Sequence, residues 1–480
     1  MIDKILFVYD NRKRLNKSIK NIVGLDSYGD IIYKRQSLKK RTKSIIDSIG
    51  DEIEYYYLNS NLDLEKLVEK ASCSNSKIIH FYSNSVIINL DSFKILVDKI
   101  NYLNETMKIG DGNNVNSLVF ASEDDYIDFL NTSIDALTDF GSNYSSIQPC
   151  DCIEDISNYE KFLTFFSGGF EARHFNSITG DKYVVTKTSN KIKKIKAEHD
   201  YYYLIPDNMK PWFITPFNYQ ETKELASYSM ERVNAPDMAL QWVHEAISIT
   251  DFEVFLDKVF YFINLRNSKP ISEKEYLNDC HKLYIDKVLD RVAELKELKE
   301  YSKLSSYVGK IGKYTSLDEI IDEYLELYDK KTKNYKFNHI AVVGHGDLCF
   351  SNMLYYKEIN LLKFIDVKGA IKEEDLWVNP YYDIAKLSHS ICGNYDFFNN
   401  DMYEIITNDK CNIELQLNKK NTENYKNIFK KYLENSGFDY ELVRLYEASL
   451  FLSMLPLHID NPKKVLGFIL NAVNILEEVK

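Results

Sequence analysis

The sequence predicts an α+β protein in which a separate small α/β domain precedes a larger region with a β-rich part and a helical part. Two patterns indicate this. In residues 1–145, short apolar strands alternate with helical stretches, which is typical of α/β domains. From residue 153 onward, strand patterns come first, and from residue 237 to about 335 apolar residues recur at helical spacing. A length of 480 residues is sufficient for two or three domains of ordinary size.

Composition and charge exclude several classes of protein. Hydrophobic residues make up 45% of the chain, which is enough for ordinary buried cores. The balance of 60 basic and 72 acidic residues gives a net charge of −12. This argues against nucleic acid as a main partner, because phosphate binding requires a basic face. No apolar run approaches the roughly 18 residues of a membrane span, so we expect none.

The cysteines and the first residues predict a cytoplasmic protein. The seven cysteines are odd in number and scattered, which does not suggest a disulfide framework and favours a reducing compartment. Cys150 and Cys152 have no second Cys or His pair nearby, so we interpret them as free thiols rather than metal ligands. The apolar stretch at residues 5–9 is followed by Asp10 and basic residues, which is typical of a strand and not of a signal peptide.

The α/β pattern of residues 1–145 can be assigned element by element. We predict strands at residues 5–9, 54–57, 77–82 and 117–120, and helices at residues 63–71, 90–102 and 124–137. In outline this could be a reduced nucleotidyltransferase-like or glycosyltransferase-like domain. However, a glycine-rich basic nucleotide loop is expected after the first strand, and the residues there are Asp10-Asn11-Arg12-Lys13. We therefore interpret the domain as one of unknown role, degenerate or regulatory rather than catalytic.

The segment from His345 to Asp366 carries a phosphoryl-transfer pattern. Asp347 follows the apolar run at residues 340–343, Asn352 comes five residues later, and Asp366 ends a second apolar run. In phosphoryl transfer, an Asp in such a loop accepts a proton from the attacking hydroxyl, and an Asn and a later Asp hold Mg²⁺. The pattern predicts a kinase-type catalytic centre. The alternative is a polar turn with a capping Asp and a buried Asn.

This segment resembles the catalytic and metal loops of the aminoglycoside phosphotransferase and choline kinase family, which has the protein-kinase-like fold. Gly346 lies where protein kinases usually have Arg, which favours a small-molecule kinase. The residues FSN at 350–352 and DVKG at 366–369 are also similar to those of kinase-like proteins of bacterial capsule and surface-glycan biosynthesis. The resemblance implies a bilobal fold, with a small β-rich N-lobe at residues 153–235 and a helical C-lobe at residues 236–480. It also implies ATP and Mg²⁺ as cofactors.

The order of elements after residue 153 fits the N-lobe that this resemblance implies. Ser167, Gly168 and Gly169 lie where a phosphate-covering loop is expected, because small residues let backbone amides approach phosphate oxygens. Adjacent glycines are also an ordinary hairpin signal. We interpret Lys187, in an alternating strand, as the lysine that binds the α- and β-phosphates, with an exposed strand lysine as the alternative. Glu198, in the following helix, is the expected partner that orients Lys187.

Two further N-lobe strands are expected at residues 212–214 and 228–233. The second should lead into the hinge, whose backbone groups hydrogen-bond the nucleobase in kinase-like folds. We therefore expect Met230, Glu231 and Val233 to contact the nucleotide. Backbone recognition of adenine leaves little side-chain signature, so ATP is preferred over GTP through the family resemblance alone.

The helical region contributes candidates around the catalytic loop. We expect His345 to brace the loop through hydrogen bonds. The family resemblance implies that Asp383, near the start of a predicted helix, hydrogen-bonds the loop backbone. Tyr284, Lys287 and Arg291 fall roughly on one helical face. This face either lines a cleft for an anionic acceptor or is a solvated helix face.

Together these residues predict an ATP- and Mg²⁺-dependent kinase. The expected acceptor is a hydroxyl of a sugar or amino-alcohol precursor of capsule or surface polysaccharide. Asp347 would deprotonate that hydroxyl, Asn352 and Asp366 would hold Mg²⁺, and most of the rate would come from positioning and charge neutralisation. A second possibility is antibiotic phosphorylation of the aminoglycoside type, since an acidic protein suits cationic acceptors, although the extra domain argues against a minimal resistance enzyme. A third is a nucleotide-binding pseudokinase or scaffold, which joint retention of these residues and Lys187 argues against.

Overall fold

The computed structural model describes residues 4–72, 76–110, 115–131, 145–147, 151–166, 176–180, 183–409, 411–417 and 422–480. The chain divides into two compact units, Met1–Ala172 and Arg173–Lys480. The predicted fold class is confirmed, because an α/β unit precedes an α+β unit with a small β-rich lobe and a helical lobe. None of the described helices is long and apolar enough to cross a membrane.

The first unit contains ten described strands, and six of them form its main sheet. Its strands are β1 (Ile5–Asp10), β2 (Ile32–Tyr33), β3 (Gln36–Ser37), β4 (Ile53–Leu58), β5 (Lys77–Tyr82), β6 (Ser85–Ile87), β7 (Met107–Ile109), β8 (Ser117–Phe120), β9 (Ser145–Ile147) and β10 (Ile153–Asp155). Its helices are α1 (Lys17–Val23), α2 (Leu38–Asp47), α3 (Leu64–Ser72), α4 (Leu90–Ile100), α5 (Glu123–Asn131) and α6 (Tyr159–Phe166). The strand order is β4-β1-β5-β8-β7-β9, with β4, β1 and β5 parallel. The predicted strands are all present, and so are the predicted helices. The last of these is α5, and its predicted residues 132–137 lie outside the described residues.

Strand β1 is buried on both faces, as expected for a continuous apolar run in a parallel sheet. Phe7 packs in one core with Ile46 of α2 and Phe93 of α4. Val8 points to the opposite face and packs in a second core with Phe129 of α5. Helices therefore cover both faces of the sheet.

Residues 153–166 belong to the first unit, which corrects the predicted N-lobe start at residue 153. Strand β10 pairs antiparallel with β6, so that Glu154 lies opposite Val86. Phe165 of α6 packs against Tyr33, with ring centroids 4.3 Å apart. The sequence of a three-residue strand does not indicate which sheet the strand will join. The division between the two units falls later, after Ala172.

The second unit contains more helix than strand. Its strands are β11 (Asn176–Gly180), β12 (Val184–Ser189), β13 (Pro216–Glu221), β14 (Ala226–Glu231), β15 (Ser268–Pro270), β16 (Ile340–Val343), β17 (Met353–Tyr356), β18 (Leu361–Phe364), β19 (Trp377–Val378), β20 (Tyr403–Thr407) and β21 (Ile413–Leu417). Its helices are α7 (Ile192–Leu204), α8 (Met238–Val243), α9 (Ile249–Leu265), α10 (Glu273–His281), α11 (Lys287–Lys296), α12 (Tyr301–Val308), α13 (Leu317–Thr332), α14 (Pro380–Ile391), α15 (Tyr395–Asn399), α16 (Thr422–Asn435), α17 (Tyr440–Ser453) and α18 (Pro462–Glu478).

The small lobe is an antiparallel sheet of order β11-β12-β14-β13 with helix α7 packed against it. Ile195 of α7 and Tyr228 of β14 share a small core there. In β12, Lys187 lies opposite Tyr228, which places the lysine side chain on the same sheet face as that core. Strand, helix and neighbouring strand therefore converge on the lysine.

The expected strand at residues 212–214 is wrong. Trp212 ends a 3₁₀ turn, and the strand forms later, as β13. Phe213 is buried and packs against Phe262 of α9, with ring centroids 5.7 Å apart. These large apolar residues join the core of the helical lobe, and that tertiary contact overrides their strand propensity.

Two short β elements of the helical lobe position the predicted catalytic loops. Strand β16 lies between β15 and β19, and β17 pairs with β18 as a hairpin in which Met353 lies opposite Phe364. This register places the residues flanking the hairpin side by side, and the Ile365 amide donates to the Asn352 carbonyl at 3.0 Å. The loop at residues 344–352 and the loop at residues 365–369 are therefore neighbours.

Candidate active site

Asp383 of α14 holds the backbone of the loop at residues 344–352, as the family resemblance implied. Its fully buried carboxylate accepts hydrogen bonds from the amides of His345, at 2.9 Å, and Gly346, at 2.8 Å. Arg266 lies 3.0 Å from the same carboxylate, so the buried negative charge is compensated. Gly346 has a φ of +80°, and a Cβ there would lie 2.5 Å from Cβ of Lys368. The loop therefore requires glycine at this position.

His345 is buried beneath the loop and connects its two ends. Its Nε2 lies 3.0 Å from the carbonyl of Ile365, and its Nδ1 accepts the Asp347 amide at 3.2 Å. The ring also stacks on Phe213. Burial lowers the pKa of His345, which favours the neutral form that can donate at one nitrogen and accept at the other. These contacts suit a brace rather than a proton carrier.

Asp347 is half-exposed at the surface of the loop and has both carboxylate oxygens engaged. Oδ1 lies 2.9 Å from Nζ of Lys386, and Oδ2 accepts from the Asn352 amide nitrogen at 3.2 Å. Burial would raise the pKa of Asp347, but the positive charge of Lys386 outweighs it and lowers the pKa. The carboxylate is therefore ionised and able to accept a hydrogen bond from an approaching hydroxyl.

Lys187 connects the small lobe to the second loop. Its Nζ donates to Glu198 at 2.7 Å and to Asp366 at 2.8 Å. The Tyr228 hydroxyl also donates to Glu198, at 3.2 Å. Burial would lower the pKa of Lys187, but the charges of Asp366 and Glu198 outweigh it and raise the pKa. The lysine is thus a fixed positive charge, as a phosphate ligand must be.

The loop that carries Asp366 is fastened to helix α7. The Ala370 amide donates to the Ala197 carbonyl at 3.0 Å. A Cβ on Gly369 would lie 2.6 Å from the backbone of Ala197, so only glycine permits this approach. Because Glu198 follows Ala197, the same contact holds the residues after Asp366 beside the helix turn that carries Glu198.

Asn352 and Asp366 offer oxygen ligands that fit Mg²⁺. This ion is commonly held by one or two carboxylates together with water and substrate phosphates. The described part of the chain contains no group of three or more His, Cys, Asp or Glu side chains suited to a metal, so a dedicated all-protein cage is not found there. One carboxylate and one amide oxygen, with Asp366 beside the Lys187 ammonium, is the donor set expected for a metal that arrives with phosphates.

The predicted nucleotide contacts divide into three groups. Met230 lines a cleft together with Glu198 and Asp366. The other two hinge residues make internal contacts: Glu231 accepts a backbone hydrogen bond at 3.4 Å, and the Val233 carbonyl accepts the Ala235 amide at 2.9 Å. The third group, Ser167, Gly168 and Gly169, lies outside the described residues.

The face predicted at Tyr284, Lys287 and Arg291 does not form one surface. Tyr284 is fully buried and stacks on Tyr446, with ring centroids 3.9 Å apart. Lys287 lies 3.3 Å from the hydroxyl of Tyr382, whereas Arg291 pairs with Glu294 on its own helix. Tyr284 lies within the π-helical turn at residues 282–286, which changes the phase of the face relative to α11.

Sequence reasoning missed Lys386, which contacts Asp347. A signal was present, because Lys386 lies three residues after Asp383, and residues at this spacing share a helix face. A residue on the face that holds the loop is a candidate to contact that loop.

No protein-family model matches the chain, and a search of curated proteins gives no match. Similar solved structures include a thermostable variant of the aminoglycoside phosphotransferase APH(4)-Ia with AMP-PNP and hygromycin B, at 11% identity and a TM-score of 0.41, over 66% of this chain and 97% of that one. APH(3'')-Id from Streptomyces rimosus, in complex with ADP and streptomycin, matches at 14% identity and a TM-score of 0.34, over 62% and 97%. The aminoglycoside-3'-phosphotransferase of type VIII matches at 12% identity and a TM-score of 0.31, over 62% and 99%. The likeness is distant, so the activity has to be derived from the residues of the site.

Proposed function

We propose that the second unit is an ATP- and Mg²⁺-dependent phosphotransferase that acts on a hydroxyl of a small molecule. The acceptor oxygen forms a bond to the γ-phosphorus as the bond from that phosphorus to the β,γ-bridging oxygen breaks, and ADP leaves. The hydroxyl proton passes to the carboxylate of Asp347, the catalytic base. Lys187, oriented by Glu198, binds the α- and β-phosphates. When bound by Asn352 and Asp366, Mg²⁺ supplies positive charge to the phosphates.

The contact between Lys187 and the loop at residues 365–369, which is itself hydrogen-bonded to the loop at residues 344–352, carries this proposal. Lys187 and Asp366 are 179 positions apart in the chain, yet their side chains lie 2.8 Å apart. Asn352 contacts Asp347 and is hydrogen-bonded through its backbone to Ile365, next to Asp366. The alternative reading of Asp347 as a capping residue is not favoured, since Asp383 accepts the hydrogen bonds of the loop amides.

We place the acceptor among sugars and amino alcohols, and the reaction in capsule or surface-polysaccharide biosynthesis in the cytoplasm. The motifs at residues 350–352 and 366–369 support the pathway, and the scattered thiols support the compartment. An aminoglycoside acceptor is less favoured. The additional α/β unit at the start of the chain argues against a minimal resistance enzyme.

The test is ATP consumption with Mg²⁺ in the full chain, over a panel of sugars, choline, ethanolamine, glycerol and kanamycin. We expect acceptor-dependent turnover that falls by about 10³-fold or more in Asp347→Asn. Asp401→Asn is the matched control, because Asp401 pairs with Lys463 at 2.9 Å, as Asp347 does with Lys386, and has similar exposure. We expect this control to retain full turnover.

Three outcomes would each count against the proposal. Turnover of Asp347→Asn at the rate of the unmodified chain would remove the base assignment. Nucleotide binding without turnover on any acceptor would favour the pseudokinase. The absence of nucleotide binding would contradict the proposed function of the whole unit.

A further inference from the structure

Lys386 is a charged residue at the centre of the site for which the reaction described above has no role. Helix α14 presents Asp383 to the amides of the catalytic loop, and Lys386 lies on the same face one turn later. Its Nζ lies 2.9 Å from Oδ1 of Asp347, and its side chain is only 16% exposed. Placing a charge in such a position is costly unless the charge is paired, and Asp347 is one such partner.

Asp347 does not use the full hydrogen-bonding capacity of Lys386. An ammonium group has three N–H donors, and within the part of the chain that is described Asp347 is its ion-pair partner and no other carboxylate contacts it. Burial raises the pKa of the neighbouring Cys349 thiol, so Cys349 carries no charge near neutral pH. His389, on the same helix, is buried, and burial lowers its pKa well below the ordinary value, so it is neutral as well. Donors of Lys386 therefore remain for a ligand.

The geometry of the proposed reaction places phosphate oxygens close to these donors. The attacking oxygen must lie within hydrogen-bond distance of Asp347 and about 3–3.5 Å from the γ-phosphorus before transfer. A cation 2.9 Å from Asp347 can therefore reach the γ-phosphoryl oxygens on the acceptor side. Lys187 does not serve there, because it is bound to Glu198 and Asp366 on the nucleotide side.

We propose that Lys386 binds the γ-phosphoryl group of ATP while it holds Asp347, so that the transferring group lies between two lysines. This inference rests on the proposed phosphotransferase function. Lys386 keeps its proton throughout and forms no covalent bond. Its charge offsets the negative charge on the γ-phosphoryl oxygens, and its contact with Asp347 aligns the base with the phosphorus.

The test compares the affinities of ADP and of the non-hydrolysable ATP analogue AMP-PNP, by isothermal titration calorimetry with Mg²⁺. The two nucleotides differ in the γ-phosphoryl group, so their ratio of Kd values isolates contacts to that group. In Lys386→Met we expect the Kd of AMP-PNP to rise about tenfold or more and the Kd of ADP to change less than about twofold. Lys386→Arg should recover part of the AMP-PNP affinity, because it keeps the charge.

Lys331→Met is the matched control. Lys331 is a similarly buried lysine of the same unit, in α13, and pairs with Glu441 at 2.5 Å. Its removal should leave both affinities unchanged.

Each other result overturns the inference. Unchanged affinities in Lys386→Met would show that Lys386 does not contact the γ-phosphoryl group. An equal loss of both nucleotides, with a lower melting temperature by circular dichroism, would indicate a purely structural role. If the unmodified chain binds neither nucleotide, the proposed function itself fails. This result is seen in the unmodified chain alone, whereas failure of the inference about Lys386 is seen only in the variant.

Discussion

The two units each place an aspartate at the end of a buried apolar strand, and the two carboxylates have opposite surroundings. Asp10, at the end of β1, is 4% exposed and contacts Arg12 at 2.7 Å and His80 at 3.1 Å. Asp366, just after β18, is 51% exposed and contacts Lys187. An apolar run followed by Asp therefore does not define a metal site. The neighbouring residues determine whether the carboxylate is buried and paired within the protein, here called closed, or is accessible to a ligand, here called open.

The closed carboxylate bears on the role of the first unit. Burial would raise the pKa of Asp10, but hydrogen bonds from His80 and Arg12 outweigh it and lower the pKa far below the usual value. Arg12 binds both oxygens of Asp10, at 2.9 and 2.7 Å, so this basic residue is engaged within the protein. We propose on this ground that the first unit is degenerate or regulatory, as its missing glycine-rich loop suggests.

Substituting alanine at each aspartate should separate the two environments. We expect Asp10→Ala to lower the free energy of unfolding by about 3–5 kcal/mol, because it leaves Arg12 and His80 without their buried partner. Asp366→Ala should change it by less than about 1 kcal/mol, since the carboxylate is half-exposed. Urea unfolding of the two variants measures both values. Equal losses would contradict the distinction between the closed and the open carboxylate.

Low pH should remove the contribution of the closed carboxylate, Asp10, to the free energy of unfolding. The pKa of Asp10 is lower in the folded chain than its usual value of about 4, so its contribution to stability is fully present above about pH 4. The contribution is lost as the pH falls from there through the folded-state pKa. The stability difference between the unmodified chain and Asp10→Asn should therefore shrink below about pH 4. Urea midpoints at pH 7, 4 and 3 check this, and a difference that stays constant would argue against the ion pair.

Gly346→Ala, in the loop at residues 344–352, should lower the free energy of unfolding by less than Asp10→Ala does. The positive φ and the close approach to Lys368 should cost about 1–3 kcal/mol of stability. Turnover should fall further than this loss suggests, because the adjacent Asp347 is displaced from Asn352 and Lys386. Gly437→Ala is the control, since Gly437 also has a positive φ but no atom within 4 Å of an added Cβ. Equal turnover in both variants would show that the loop tolerates the shift.

Local spacing predicted the residues that adjacent elements bring together. Asp347 and Asn352 share one loop, Asp366 follows the next hairpin, and Lys187 and Glu198 lie on a consecutive strand and helix. Lys386 was missed because its contact depends on how α14 packs against that loop. For the same reason, the sequence did not show that residues 153–155 join the first unit or that Phe213 packs in the helical lobe instead of a strand.

The most direct test of the central claim is calorimetric titration of the full chain with ATP, in the presence of Mg²⁺ and in EDTA. The account predicts binding that requires Mg²⁺ and is lost in Asp366→Ala, while the Asp401→Asn control binds like the unmodified chain. Binding that Asp366→Ala leaves intact, or no binding of ATP by the unmodified chain, would contradict it.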